Sequence, residues 1–261
     1  MTLNSKKEEY LIYKLADNMK NCIKIDADLF RKLDVKRGLR NEDGTGVLVG
    51  LTNIGNVVGY ERTENGLKPI EGKLYFRGYE ISDLVHAVLN EQRFGFEEIA
   101  YLLLSGGLPD AEELEQFRHL LVGNMPLMSK TMLNIVELEG TDIMNILARS
   151  VLELYTYDNT PDDISRENLM RQSVELISKF PTIIAYAYNM LRHKTFGRSL
   201  HIRHPKENFS LAENFLYMLL GNNYTPLDAR TLDLLLILQA EHGGGNNSTF
   251  TVRVTSSTCT D

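Results

Sequence analysis

The stretch "QAEHGGGNNST", residues 239–249, sets one histidine, His242, after an apolar run and ahead of three glycines and two asparagines. These residue types are the parts of an anion site. A helix ending near His242 turns the negative end of its dipole toward the ring and favours the imidazolium. The glycines leave main-chain N–H groups uncovered and let another molecule come close. Ser248 is read as the cap of a final helix over 249–258, whose positive N-terminus points back at the same place. The chemistry expected is capture of a carboxylate, with His242 as the binding group and Gly244, Gly245 and Asn246 as the supporting loop. A cap histidine in an ordinary glycine turn satisfies the same pattern, and the residues alone leave both readings open.

Other chemistry has less behind it. "HGGG" at 242–245 matches the oxyanion element of esterases, but no G-x-S-x-G nucleophile elbow occurs in the chain. His201 and His204 form an HxxH pair without the further ligands zinc needs, and HExxH is absent, so no metal site is read. That pair flanks Arg203, so if charged it could meet an anion. His86 and His119 lie on helical patterns among polar neighbours and read as surface residues. The glycines of 38–79 contain neither GxxxxGK[ST] nor a GxGxxG opening a helix, so they read as turns.

The elements that must position His242 are mostly helical. Phe96, Ile99, Ala100, Leu103 and Leu104 share one helix face that stops at Gly106. Pro109 and Asp110 open a helix with Leu114, Phe117 and Leu121 on its face. Ile143, Ile146, Leu147, Val151 and Leu154 mark a longer one. Met170, Val174 and Ile177 mark another, expected to end before Pro181, with a separate helix over 182–192. Residues 194–210 read as a loop and Leu211–Leu220 as a helix. A last long helix runs from about Pro226 to Glu241; its "LDLLLILQA" is apolar around most of its girth and is expected deep in a core. Near the start, Leu11, Leu15 and Met19 step as an amphipathic helix, and "GVLVGL", "NVVGY" and "KLYFRGY" read as short strands. Helices dominate and no βαβ alternation appears, which excludes a doubly wound sheet.

Composition sets the broad class. The 261 residues carry a net charge of −7, which argues against a nucleic-acid or anionic-membrane surface. No apolar run reaches the length of a membrane span, and the start lacks a signal-peptide core. Cys22 and Cys259 stand far apart with no metal spacing or disulfide framework, which suits a reducing cytoplasm.

Four blocks, "KLYFRGYEISDL" (73–84), "FEEIAYLLLSGGLPDAEEL" (96–114), "LAENFLYMLLG" (211–221) and "ILQAEHGGGNNSTFTVRVTSST" (237–258), together resemble the citrate synthase family. The resemblance implies an all-α fold, a multihelical citrate synthase-like large domain with a small β-strand region near the N-terminus. On that reading 1–37 is an N-terminal helical segment, 38–80 a small β/turn region and 81–261 the helical large-domain portion. It implies condensation of oxaloacetate with acetyl-CoA to citrate and CoA, with acetyl-CoA as substrate and no separate cofactor. The family's "HE-G-G-N" histidine binds oxaloacetate and aligns with His242; Gly243 stands where the family carries glutamate. The family's general-base aspartate and its two further histidines, in "GP-x-HGG" and "GYGH" blocks, have no counterpart here. The chain is therefore expected to be the N-terminal part of such an enzyme, truncated before the small domain, inactive alone and prone to homodimerise. A 2-methylcitrate synthase fragment and a non-catalytic helical assembly module are the alternatives.

Overall fold

The computed structural model describes Asp28, Lys32 and residues 52–64, 66–137, 140, 142–242 and 247–256. The expected N-terminal helix around Leu11–Met19 and the "GVLVGL" strand lie outside the described residues. Within them, three strands precede nine helices: β1 (Gly55–Thr63), β2 (Gly66–Phe76), β3 (Tyr79–Glu80), α1 (Ile81–Asn90), α2 (Phe96–Ser105), α3 (Ala111–Asn124), α4 (Ser129–Glu137), α5 (Ile143–Tyr157), α6 (Arg166–Phe196), α7 (Leu211–Leu220), α8 (Pro226–Leu238) and α9 (Asn247–Ser256). This is the helical architecture with a small β region that the residue pattern led us to expect.

The strands form one antiparallel sheet in the order β1-β2-β3, with the register slipping between Val58 and Tyr60. Arg77 and Gly78 join β2 to β3, both with positive φ, as a two-residue hairpin turn requires. Such a φ is uncommon for a residue with a side chain. At Arg77 the guanidinium explains it. Nε and Nη2 donate to the Leu103 carbonyl at 3.2 and 2.8 Å, so the cation sits at the C-terminal end of α2.

Helix ends follow local chemistry. Asp110, Ser210 and Thr225 each form a capping box, with Glu113, Glu213 and Asp228 respectively, and Pro226 opens α8. Gly106 ends α2 in the left-handed conformation. One expectation is corrected: the helix does not break before Pro181. Instead α6 runs unbroken from Arg166 to Phe196 with Pro181 inside it. Pro181 is buried, and Ile183, Ala185, Tyr186 and Ala187 follow it into the largest core cluster beside Val122, Met125, Ile135, Ile146 and Met218. Packing on both sides of the proline outweighs the lost backbone hydrogen bond.

A second expectation also changes. α8 ends at Leu238 rather than near Glu241, and only one of its faces is covered. Ala229, Asp233 and Ile237 face inward, with Ile237 packed among Phe76, Leu84, Val88, Ile99 and Leu102. Leu227, Leu235 and Leu238 are 72%, 48% and 46% exposed. Spaced at i, i+8 and i+11, they fall on one stripe of the helix. Among the described residues no helix is long and apolar enough to cross a membrane.

Candidate functional site

The His242 region is built from α8 downward. Thr225 and Asp228 fix the start of α8 through reciprocal cap bonds of 2.8 and 3.2 Å. Asp233 and Ile237 fix its inner face. Its last turn closes with Gln239 N–H donating to Leu235 O and Ala240 N–H donating to Ile237 O, both at 3.2 Å. His242 follows, exposed, its main-chain N–H donating to Glu241 Oε1 at 3.1 Å. Gly244, Gly245 and Asn246, expected as the supporting loop, lie with Gly243 outside the described residues. α9 begins at Asn247, two residues before the expected start. Five chain steps span at most about 18 Å, so the start of α9 cannot lie far from His242.

The other histidines are also exposed. His86 and His119 are exposed on α1 and α3, and His119 pairs with Glu115 at 3.2 Å. His201 and His204 are exposed in the segment between α6 and α7. That segment is pinned from beneath by residues the periodicity did not flag. Asn189 donates to His201 O and Met218 O, Tyr186 OH to Arg203 O, and Asn214 Nδ2 to Lys206 O and Phe209 O. Lys206 Nζ stands 4.6 Å from the Phe209 ring centroid and 4.0 Å from that of Tyr217, a double cation–π contact.

Several clefts lie elsewhere among the described residues, two of them lined by three or more charged side chains. One of about 410 Å³ is lined by Arg93, Glu97, Arg118, His119, Ser210 and Glu213. The other, of about 630 Å³, has an apolar floor of Met128, Val151 and Leu154 beneath Asp158, Arg171 and Glu175. In it Arg171 Nη2 reaches both Asp158 oxygens at 2.7 Å, and this bond, with those from Gln172 and Thr160, holds the Asp158 carboxyl well below the usual carboxylate range. Every polar atom named there has a protein partner, which reads as a latch between α5 and α6. His242 lines neither cleft.

A multihelical bundle with one small antiparallel sheet and a histidine at a helix-to-helix junction defines the class: an all-α protein with its candidate anion site at a helix end. The model of the family described as "Citrate synthase, C-terminal domain" matches residues 42–261, and the chain belongs to the citrate synthase family. Citrate synthase of Deinococcus radiodurans is 36% identical over 196 residues, which cover 73% of this chain and 50% of that protein. 2-Methylcitrate synthase 2 of Corynebacterium glutamicum is 30% identical over 240 residues, 87% of this chain and 54% of the relative. The crystal structure of citrate synthase from Pyrobaculum aerophilum superposes with a TM-score of 0.69 at 28% identity, covering 87% of this chain and 55% of that one. The chain thus spans about half the length of the relatives it matches.

Proposed function

We propose that these 261 residues are the large-domain portion of a citrate synthase. In the complete protein, the methyl carbon of acetyl-CoA gives up a proton and bonds to the keto carbon of oxaloacetate. Water then cleaves the thioester, releasing citrate and CoA. His242 contacts oxaloacetate, with Gly244, Gly245 and Asn246 as its loop. The observation that carries this reading is the family match over 42–261, which includes the His242 block. The exposure of His242 where α8 gives way to α9 is consistent with it.

The "GP-x-HGG" and "GYGH" blocks do not occur among the 261 residues. The methyl group is only weakly acidic, and charge builds on oxygen as its proton leaves. Without a fixed base and donors for that charge the barrier stays high. This polypeptide, assayed alone with oxaloacetate and acetyl-CoA, therefore releases no CoA above background. A rate near that of the Deinococcus radiodurans enzyme would overturn this. The Corynebacterium glutamicum relative supports a second reading, propionyl-CoA as the acyl donor. Comparing the two acyl-CoA esters in the complete protein distinguishes them.

The partner expected besides the substrates is a second copy. The bare stripe of α8, with Met144 and Leu152 exposed on α5, supports self-association to a dimer or larger. A single monomer peak in sedimentation would contradict it. If self-association persists while oxaloacetate fails to bind, the non-catalytic assembly reading replaces the enzymatic one. The net charge of −7 disfavours nucleic-acid and membrane partners, and the two widely spaced cysteines fit a cytoplasmic setting.

A further inference from the structure

Glu97 and Asp233 are ionisable side chains buried to 1% exposure. Both act as helix caps for elements distant in sequence. Asp233, on α8, accepts from Gly95 N–H at 2.8 Å and Phe96 N–H at 3.1 Å, at the start of α2. Gly95 is the N-cap there and has no side chain with which to satisfy those donors. Glu97, in the first turn of α2, reaches onward with Oε1 and accepts from Leu211 N–H at 2.7 Å, the first residue of α7. One carboxylate thus ties α8 to α2, and the next ties α2 to α7. Asp233 lies nine residues before His242 on the element that ends there.

We propose that Asp233 and Glu97 are positioning residues that clamp α8, α2 and α7 into one unit and so set where α8 delivers His242. The catalytic half of this inference rests on the oxaloacetate reading of His242; the clamp itself does not.

The charge environment gives the clamp a pH response. Glu97 of α2 and Arg118 of α3 act on Asp233 with opposite signs. Arg93, between α1 and α2, is engaged by Glu91 and Glu98, and on α8 itself Asp228 is held by Thr225 and Arg230 by Gln92 O. Burial is the largest effect and, with Glu97, pushes the Asp233 carboxyl up to about 6, against the pull of its two N–H bonds. A closed clamp therefore holds its proton more tightly than an open, solvated one. Closure is most favoured at low pH and eases as pH rises through about 6. At roughly tenfold per pH unit, the opening equilibrium grows by up to about 100-fold.

The test is hydrogen–deuterium exchange on the 261-residue protein between pH 4.5 and 7.5, corrected for intrinsic rates and read at Gly95, Phe96 and Leu211. Oxaloacetate is titrated in parallel while the His242 imidazole resonances are followed. We expect opening at all three amides to rise together toward high pH and to become pH-independent in D233N. E97Q keeps an acceptor for Leu211 but removes a like charge, so it moves the midpoint at Gly95 and Phe96 to lower pH. D233A, which removes both acceptors, weakens the oxaloacetate response at His242; D233N, neutral like the protonated acid, keeps one acceptor, and any pH dependence that Asp233 lends the response is lost in it. The proposal is overturned if Leu211 stays protected while Gly95 and Phe96 open, if D233N keeps the wild-type pH profile at the three amides, or if oxaloacetate shifts His242 with the same pH dependence in wild type and D233N. A wild-type His242 that ignores oxaloacetate refutes the binding role instead and leaves the three amides to decide the clamp.

Discussion

Gly95→Ala is expected to unsettle the joint on which α8 rests. A methyl group at residue 95 would overlap Val88 Cγ2 and press on Ile237 Cδ1 at 3.1 Å. The backbone has little room to retreat, because its N–H and that of Phe96 are both held by Asp233. The Gly95 φ of −128° is open to alanine, so the cost is steric rather than conformational. Overpacking of this kind costs about 1–3 kcal/mol. Loss of unfolded-state freedom returns about 0.4–1 kcal/mol. Weakened bonds to a charged acceptor add about 1.5 kcal/mol to the loss. The net expectation is a destabilisation of about 1.5–4 kcal/mol in urea denaturation. Gly123→Ala is the control: it lies within α3, nothing stands within 4 Å of where its methyl group would sit, and helix propensity favours the change by up to about 1 kcal/mol. Equal stabilities for G95A and wild type would refute this account of how α8 is seated.

Three further outcomes are expected. Asp233 carries a folded-state carboxyl at about 6 against an ordinary 3.8, so its contribution is fully present below about 3.8 and is lost as pH rises through about 6; stability measured at pH 4.5 and 7.5 should differ by about 2 kcal/mol more in wild type than in D233N. Ser210→Ala and Thr225→Ala each remove a capping box and should cost about 1 kcal/mol by chemical denaturation. Replacing Leu227, Leu235 and Leu238 together by serine strips the bare stripe of α8 and should lower the self-associated fraction in sedimentation with little loss of helicity.

What could be read from residues alone was whatever local chemistry decides. Gly106 ends its helix, and Asp110 caps the next, because αL geometry and a short polar side chain act within a few positions. Pro181 misled, since its local penalty is plain while the packing of Ile183 and Tyr186 that offsets it is not. The run "LDLLLILQA" misled in the opposite sense. Apolar girth shows that a helix can be buried, not which neighbours are present to bury it. Asp233 and Glu97 escaped notice for a third reason. Each serves a helix start 114 or 138 residues away, a separation that no periodicity or motif encodes. A lone acid inside an apolar run, as Asp233 is, was the signal available.

The most direct measurement is calorimetric titration of oxaloacetate into the 261-residue protein and its H242A variant. A saturable heat in the wild type, lost in H242A while α8 and α9 keep their helical signal, is what a carboxylate receptor at that junction requires. Identical heats from the two proteins, or none from either, would contradict it.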